Sequence, residues 1–398
     1  MNYRMNRKIH ASLIALAALA IGGGVAQAAA EEPKPKLEIY GQIMLDAIYD
    51  ADRMNPLWNA TLRSSQIPVN CTTPPLDAGC GKDGATIMSI RQSTLGIKTA
   101  IPSSMGEIKT DFAFDLFGSD GSTSVHWLRA WAEMGIYGIG QYDSVLMDMD
   151  VFPNTLDYWG PSGMVFVRNP QLRVTPVSHD GMTVMFSLES PNSALDTGKV
   201  TQVDPDFAAS IAAWNRYPDL LGAFRMDRDW GHFRAAGIVR EVGYQNPAAA
   251  NGDPSGRKTG YGVNLSGSLK SIGKDNFTWQ IVDGYAIASY MDDGGVDLAP
   301  DANLKAQTIQ SIGWLAYYNH YWTQQLSSAI GYSEHHQDNA GGQLDDAFKR
   351  GTYSSVNLLY YPAKNVTTGV ELLWGQRENK GGQAASDARM QFSSKVTF

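Results

Sequence analysis

Along residues 37–48 apolar and polar side chains alternate. Leu37, Ile39, Ile43 and Leu45 share one parity, and Glu38, Gln42 and Asp46 the other. A period of two marks a strand with one apolar and one polar face. The same alternation sets Phe112, Phe114 and Leu116 against Lys109, Asp111 and Asp115, and Phe233, Ala235 and Val239 against His232, Arg234 and Arg240. It closes the chain, with Met390, Phe392, Val396 and Phe398 opposing Arg389, Gln391 and Lys395. The pattern predicts sixteen strands, near 37–48, 86–99, 105–117, 125–136, 141–150, 164–175, 182–190, 219–228, 230–243, 258–270, 276–288, 307–320, 323–333, 352–361, 366–377 and 387–398. Two segments break the rule. In 86–99, Arg91 and Ser93 fall on the parity of Leu95 and Ile97. In 164–175, Pro170 predicts a bulge between Arg168 and Arg173.

The gaps between strands alternate in length. Long gaps fall near 49–85, 151–163, 191–218, 244–257, 289–306, 334–351 and 378–386, with short ones such as 100–104, 176–181, 271–275 and 362–365 between them. The gap at 118–124 should be long and is short. An even number of strands of about 9–11 residues, joined this way, predicts an all-β transmembrane antiparallel barrel of about 16 strands, with short periplasmic turns and long extracellular loops. A soluble sandwich would need a second sheet to cover the apolar face. Charges recur on the polar face, which suits a water-filled lumen better than a dry core. Aromatics gather near strand ends, at Trp230, Trp279, Tyr317, Tyr318, Tyr321, Trp322, Tyr360, Tyr361, Trp374 and Phe398, as interfacial girdles would require.

Composition adds an export history. Arg4, Arg7 and Lys8 precede an apolar run at 11–21 and a small-x-small site at Ala26-Gln27-Ala28. Residues 1–28 therefore read as a secretory signal peptide, 29–36 as a short arm and 37–398 as the barrel. Losing the three leader cations moves the formal charge from −8 to −11, which argues against nucleic-acid binding. Cys71 and Cys80 lie in the first long gap. In an exported chain they point to a loop disulfide, since two thiols without nearby partner ligands make a poor metal site.

Several segments together resemble the DcaP-like branch of the trimeric outer-membrane porins. They are Tyr40-Gly-Gln with Asp46, Arg91-Gln-Ser-Thr-Leu-Gly-Ile-Lys98, Gly140-Gln-Tyr-Asp-Ser-Val-Leu-Met-Asp148, Phe152-Pro-Asn-Thr-Leu-Asp-Tyr-Trp-Gly-Pro161, Val356-Asn-Leu-Leu-Tyr-Tyr-Pro362, Gly369-Val-Glu371 and Arg377-Glu378. The resemblance implies a homotrimeric channel in the bacterial outer membrane, in contact with membrane lipid and lipopolysaccharide. It implies preference for small anions such as dicarboxylates, and an inward constriction loop over 150–163. Some relatives carry a helical N-terminal extension, for which residues 29–36 are too short. The terminal strand ending in Phe398 resembles the signal read by the barrel-assembly machinery.

In such a channel the working groups are charges at the narrowest section. The inward candidates are Arg91, Arg129, Arg168, Arg173, Arg234, Arg240, Arg377, Arg389 and Lys395, opposed by the loop acids Asp148, Asp150 and Asp157. The sixteen strand spans sum to nearly zero charge, which places the acidic excess in loops, at Asp292, Asp293, Asp297, Asp301, Asp338, Asp345 and Asp346. An outer-membrane hydrolase or an adhesin is the rival class. No motif ties His126, His179, His232, His320, His335 or His336 to a nucleophile, and His335-His336 with Glu334 and Asp338 is expected in a solvated loop. No catalytic residue, metal or cofactor is expected.

Overall fold

The structure is a computed structural model that describes residues 34–247 and 255–398. The leader at 1–28 and most of the arm lie outside the described residues. The strands are β1 (Lys36–Asp50), β2 (Ala85–Ser89), β3 (Thr94–Ile101), β4 (Ile108–Phe117), β5 (Thr123–Met134), β6 (Tyr137–Asp143), β7 (Arg168–His179), β8 (Met182–Glu189), β9 (Ala212–Ala213) and β10 (Asp219–Arg228). They continue with β11 (Gly231–Gln245), β12 (Gly256–Lys270), β13 (Asn276–Tyr285), β14 (Leu298–Pro300), β15 (Ala306–Thr308), β16 (Gln310–Tyr321), β17 (Leu326–Asp338), β18 (Phe348–Ala363), β19 (Val366–Asn379) and β20 (Ala384–Thr397). Each wall strand pairs antiparallel with its neighbours, and β1 closes the ring on β20, from Gln42↔Thr397 to Asp50↔Arg389. The wall is a closed barrel of sixteen strand positions. β9 caps β11, and β14 and β15 form a separate hairpin.

One position is shared by β2 and β3. Both pair with β1, β2 at its upper half and β3 at its lower half. Asp46 faces Ser89 while Gln42 faces Thr94, so residues 90–93 carry one residue more than the opposing segment of β1. This bulge explains the parity conflict in the sequence, because it flips the outward set from even to odd. Met88 and Ile90 face outward before it, and Leu95 and Ile97 after it.

The outward faces carry the apolar residues that the alternation predicted, among them Leu37, Ile43, Phe112, Leu172, Val239, Val263, Ile281, Ile330, Leu358 and Phe392. Outward aromatics mark both rims, with Tyr137, Trp322 and Tyr360 at the short-turn end and Tyr49, Trp127, Tyr261 and Trp374 toward the other. Three of the expected girdle residues, Tyr317, Tyr321 and Tyr361, face inward instead. Tyr317 is fully buried, and the Tyr361 hydroxyl bonds Asn154 and Ser327 inside the barrel.

Some boundaries move. The strand expected at 141–150 ends at Asp143, because Val145, Leu146 and Met147 are all buried in succession and no longer alternate. The next strand begins at Arg168, and its irregularity lies between Val174 and Val177 rather than at Pro170. The histidine pair expected in a loop sits within β17, where His335 faces inward and donates from Nδ1 to the Asp293 carbonyl at 2.7 Å. The short connection at 118–122 is covered by the first long loop. A Cβ on Gly121, at φ +85°, would lie 2.4 Å from the Leu57 carbonyl oxygen.

Candidate functional site

The segment between β6 and β7, residues 144–167, enters the barrel and crosses it. This extends the expected 150–163 loop at both ends. Its backbone carbonyls and amides, lacking a ladder, are satisfied by inward side chains of the wall. Arg234 of β11 donates to the Val145 carbonyl at 2.6 Å, and Asn264 of β12 donates to that of Leu146 at 2.8 Å. On the far wall the Leu156 amide donates to Glu371 at 2.5 Å, while its carbonyl accepts from Gln92 at 2.9 Å and Gln391 at 3.0 Å. Asn357 donates to the Asn154 carbonyl at 2.7 Å.

Two more segments join it, which the sequence did not announce. Residues of the first long loop, Trp58, Leu62 and Ile67, pack with Met164, Tyr317 and Tyr353. The segment after β13 brings Ile287, Tyr290 and Met291 against Val145, Leu146 and Val165. The Trp159 indole donates to the Asp292 carbonyl at 2.8 Å, tying two of these segments together.

The three loop acids have separate fates. Asp148 accepts from Ser266 at 2.6 Å, meets His232 Nε2 at 2.9 Å and lies 3.4 Å from Arg225. Burial pushes its carboxyl up, but the bonds from His232 and Ser266 outweigh that and hold it at about 2. Asp150 is exposed and pairs with Arg225 at 2.5 Å. Asp157 is buried, accepting from Thr61 at 2.8 Å, the Leu62 amide at 3.2 Å and Tyr353 at 3.2 Å. Burial pushes its carboxyl up. Arg225, which sequence reasoning passed over, thus links the loop to β10; its inward parity with Asp227 was a usable signal.

The basic candidates also divide. Arg129, Arg168 and Arg173 converge on one residue. Arg129 Nη2 and Arg168 Nε donate to the two oxygens of Asp143, each at 2.9 Å, and Arg173 donates to its carbonyl. Asp111 adds a longer contact to Arg129 at 3.6 Å. The guanidinium groups also lie over aromatic faces, Arg129 over Tyr142 at 4.9 Å, Arg168 over Phe166 at 4.6 Å and Arg173 over Trp131 at 5.3 Å. Arg129 keeps 23% of its side chain exposed. Arg91 lies beside the 118–122 turn, donating to Thr123 and the Leu57 carbonyl. Arg377 donates to the Ser65 carbonyl, and Lys395 faces inward near the short-turn end with no ion pair among the described residues.

Arg240 and Arg389 are enclosed. Arg240 lies 3.1 Å from Asp219 and 3.7 Å from Asp297, and Arg389 lies 2.7 Å from both Asp50 and Asp387. Their side chains have almost no exposure, so they hold wall and loops together rather than face the open lumen.

Below the Asp143 cluster, toward the short-turn end, is a hollow of about 630 Å³ lined by Lys36, Lys98, Lys109, Glu133, Trp131 and Tyr142. Lys98 sits 4.5 Å from the Tyr40 ring centroid. Three lysines therefore adjoin one continuous space, together with the carboxylates of Glu38, Asp111 and Glu133. Elsewhere, Ser268 Oγ meets His232 Nδ1 at 2.8 Å, completing a chain through His232 to Asp148. The three residues come from distant parts of the sequence, so no local motif could show it. Among the described residues no group of His, Cys, Asp and Glu is placed to hold a metal ion. Cys71 and Cys80 form the expected disulfide.

A family model described as DcaP outer membrane protein matches residues 26–229. Among solved structures, the outer membrane channel DcaP of Acinetobacter baumannii has a TM-score of 0.78 at 17% identity, with 92% of this chain and 97% of that one covered. An anion-selective porin from Comamonas acidovorans gives 0.57 at 9% identity, covering 92% and 100%. OmpT of Vibrio cholerae in its trimer form gives 0.53 at 11% identity, covering 92% and 100%. No curated protein sequence matches at a significant level. The chain belongs to the DcaP outer membrane protein family, and its barrel is that of a porin of the bacterial outer membrane.

Proposed function

We propose that the protein is a passive channel for small hydrophilic solutes that favours small anions such as dicarboxylates. The observation that carries this reading is the convergence of Arg129, Arg168 and Arg173 on Asp143. Three guanidinium groups meet around the Asp143 carboxylate, with Asp111, Glu133 and Glu189 also close, and Arg129 keeps part of its side chain exposed there. Planar guanidinium forks suit carboxylate oxygens in pairs. Lys36, Lys98 and Lys109 line the hollow toward the short-turn end, interspersed with Glu38, Asp111 and Glu133. A permeating ion meets these groups at contact distance, whereas loop charges beyond about 8 Å are screened. The anion-selective Comamonas acidovorans porin of like fold supports the reading. The test is the reversal potential in a planar bilayer under a salt gradient. The wild type should select anions, and the triple replacement R129Q/R168Q/R173Q should lose most of that preference. A cation-selective wild type would overturn the assignment.

The same reading includes a homotrimer, supported by the trimer form of the Vibrio cholerae OmpT fold relative, contact with lipopolysaccharide, and recognition of the strand ending in Phe398 by the barrel-assembly machinery. The Ser268–His232–Asp148 chain favours a hydrolase as the second reading. We read it as a fastener for the loop root instead, because Asp148 is shared with Ser266 and Arg225 and His232 is buried. Labelling of Ser268 by a fluorophosphonate probe would reverse that choice.

A further inference from the structure

On the outward wall, strand positions are ordered by height. Val239 and Val263 face outward in the apolar belt. Tyr261 stands next above, paired across the strands with Tyr285, the rings 5.5 Å apart. Two residues further along lie Thr259 and Glu241, and two further again Arg257 and Gly243. At about 3.3 Å per residue, Arg257 lies about 13 Å along the strand from Tyr261. An aromatic ring at the hydrocarbon boundary therefore puts Arg257 at headgroup level on the extracellular side.

A second arginine arrives there from the segment between β9 and β10. The Trp214 amide donates to the Gly243 carbonyl at 2.9 Å, continuing the β9–β11 pairing and setting residue 214 beside the extracellular end of β11. A Cβ on Gly243 would lie 2.8 Å from Arg257 Cγ and 2.9 Å from the Trp214 carbonyl oxygen, so the absence of a side chain there lets both approach. Arg216 and Arg257 each place Nε 3.6 Å from the same oxygen of Glu241. Arg257 lies over Trp214 at 4.6 Å and Arg216 over Tyr217 at 4.8 Å. Among the described residues neither guanidinium donates a hydrogen bond. Two preset cations share one distant carboxylate, with 44% and 32% of their side chains exposed.

We propose that Arg216 and Arg257 form a clamp for the phosphate of a phosphorylated glycolipid in the outer leaflet. The aromatic faces hold the guanidinium planes, so little freedom is lost when a phosphate accepts from both. The apolar wall below receives acyl chains, which a soluble phosphate lacks. Glu241 competes with the ligand for both arginines and keeps the clamp closed upon itself when empty.

The experiment is native mass spectrometry of the full-length mature protein in mild detergent, titrated with bisphosphorylated lipid A, with its dephosphorylated form, and with inorganic phosphate as competitor. The wild type should hold bisphosphorylated lipid A about tenfold or more tighter than R216Q/R257Q does, matching the loss of two charge-assisted bonds. The dephosphorylated lipid should bind both proteins equally weakly. Glu241→Gln should tighten binding, an opposite sign that a folding defect could not produce. Unchanged single-channel conductance in both variants checks that the barrel is intact. Equal lipid A binding by wild type and R216Q/R257Q would overturn the proposal. Displacement of the lipid by millimolar inorganic phosphate would overturn its assignment to a lipid headgroup.

Discussion

Asp292 carries both carboxylate oxygens into the interior without a hydrogen bond. Burial first, then the neighbouring Asp293, pushes its carboxyl well above the usual range, with Arg63 and Arg168 opposing. A raised folded value means the protonated form fits the native site. The stabilising contribution is whole below the ordinary carboxylate range and is lost as pH rises through the raised value. Asp292→Asn should therefore raise the melting temperature in detergent at pH 8, by about 1–3 kcal/mol of stability, and change little near pH 4. Equal shifts at both pH values would show that ionisation is not the cost. The sequence put Asp292, Asp293 and Asp297 on screened outer loops, yet all three are buried. Nothing in one sequence reports which loop turns inward, because that depends on partners such as Arg63 and Ser65, which bind Asp293 from 228 to 230 residues away.

At the scale of elements, the walls were legible and the loops were not. A half-buried strand writes its two faces into alternate residues, and even the bulge at 90–93 left its mark as a parity conflict. The loop over 144–167 has no such period. Its place is set by wall side chains that read individually as ordinary polar residues, such as Asn264, Gln391 and Glu371. Cutting one root tests this. Asp148→Ala leaves His232 and Arg225 without their shared partner, and should raise open-state current noise and single-channel conductance. Because its carboxyl is held at about 2, that root should stay fastened in the wild type from neutral pH down to about pH 3, so conductance in that range should not report its release. At the first loop, C71S/C80S should loosen residues 51–84 by about 2–3 kcal/mol of local order. Limited proteolysis should then cut that loop faster while the barrel persists. Val69 and Asn70 amides still bond Asp77, which limits the effect.

For the whole molecule, the expected particle is a trimer. Heat-dependent migration on a detergent gel and a particle mass near three times the 43.4 kDa full-length chain, less the leader, are the expected results. A monomer-sized particle in mild detergent would reject it. The formal charge near −11 expected on loss of residues 1–28 and the proposed anion preference are compatible because the acids are placed differently. Asp50, Asp219, Asp297 and Asp387 lie buried against Arg240 and Arg389, four acids to two cations, so part of the acidic excess is enclosed in the wall. Arg129, Arg168 and Arg173 share Asp143 and are less enclosed, Arg129 with 23% and Arg168 with 14% of the side chain exposed. The sequence identified the arginines as inward, by parity, but not the acids paired with them. It could not separate the enclosed arginines from the accessible ones, because parity reports facing and not neighbours.

The seam between β1 and β20 has a consequence for biogenesis. Phe398 and Gly41 exchange backbone hydrogen bonds at 3.1 Å each way, and a Cβ on Gly41 would lie 3.0 Å from the Phe398 ring. The first strand of the ring thus finds its second partner only after every other strand has been made. Until then a half-built wall exposes two unsatisfied ladders, the form most prone to pairing with another molecule. Joining them means closing a loop of more than three hundred residues, the slowest kind of encounter for a diffusing chain. The unfolded chain must therefore survive a long vulnerable interval, and whatever holds its open edges apart should govern yield more than the finished barrel's stability does.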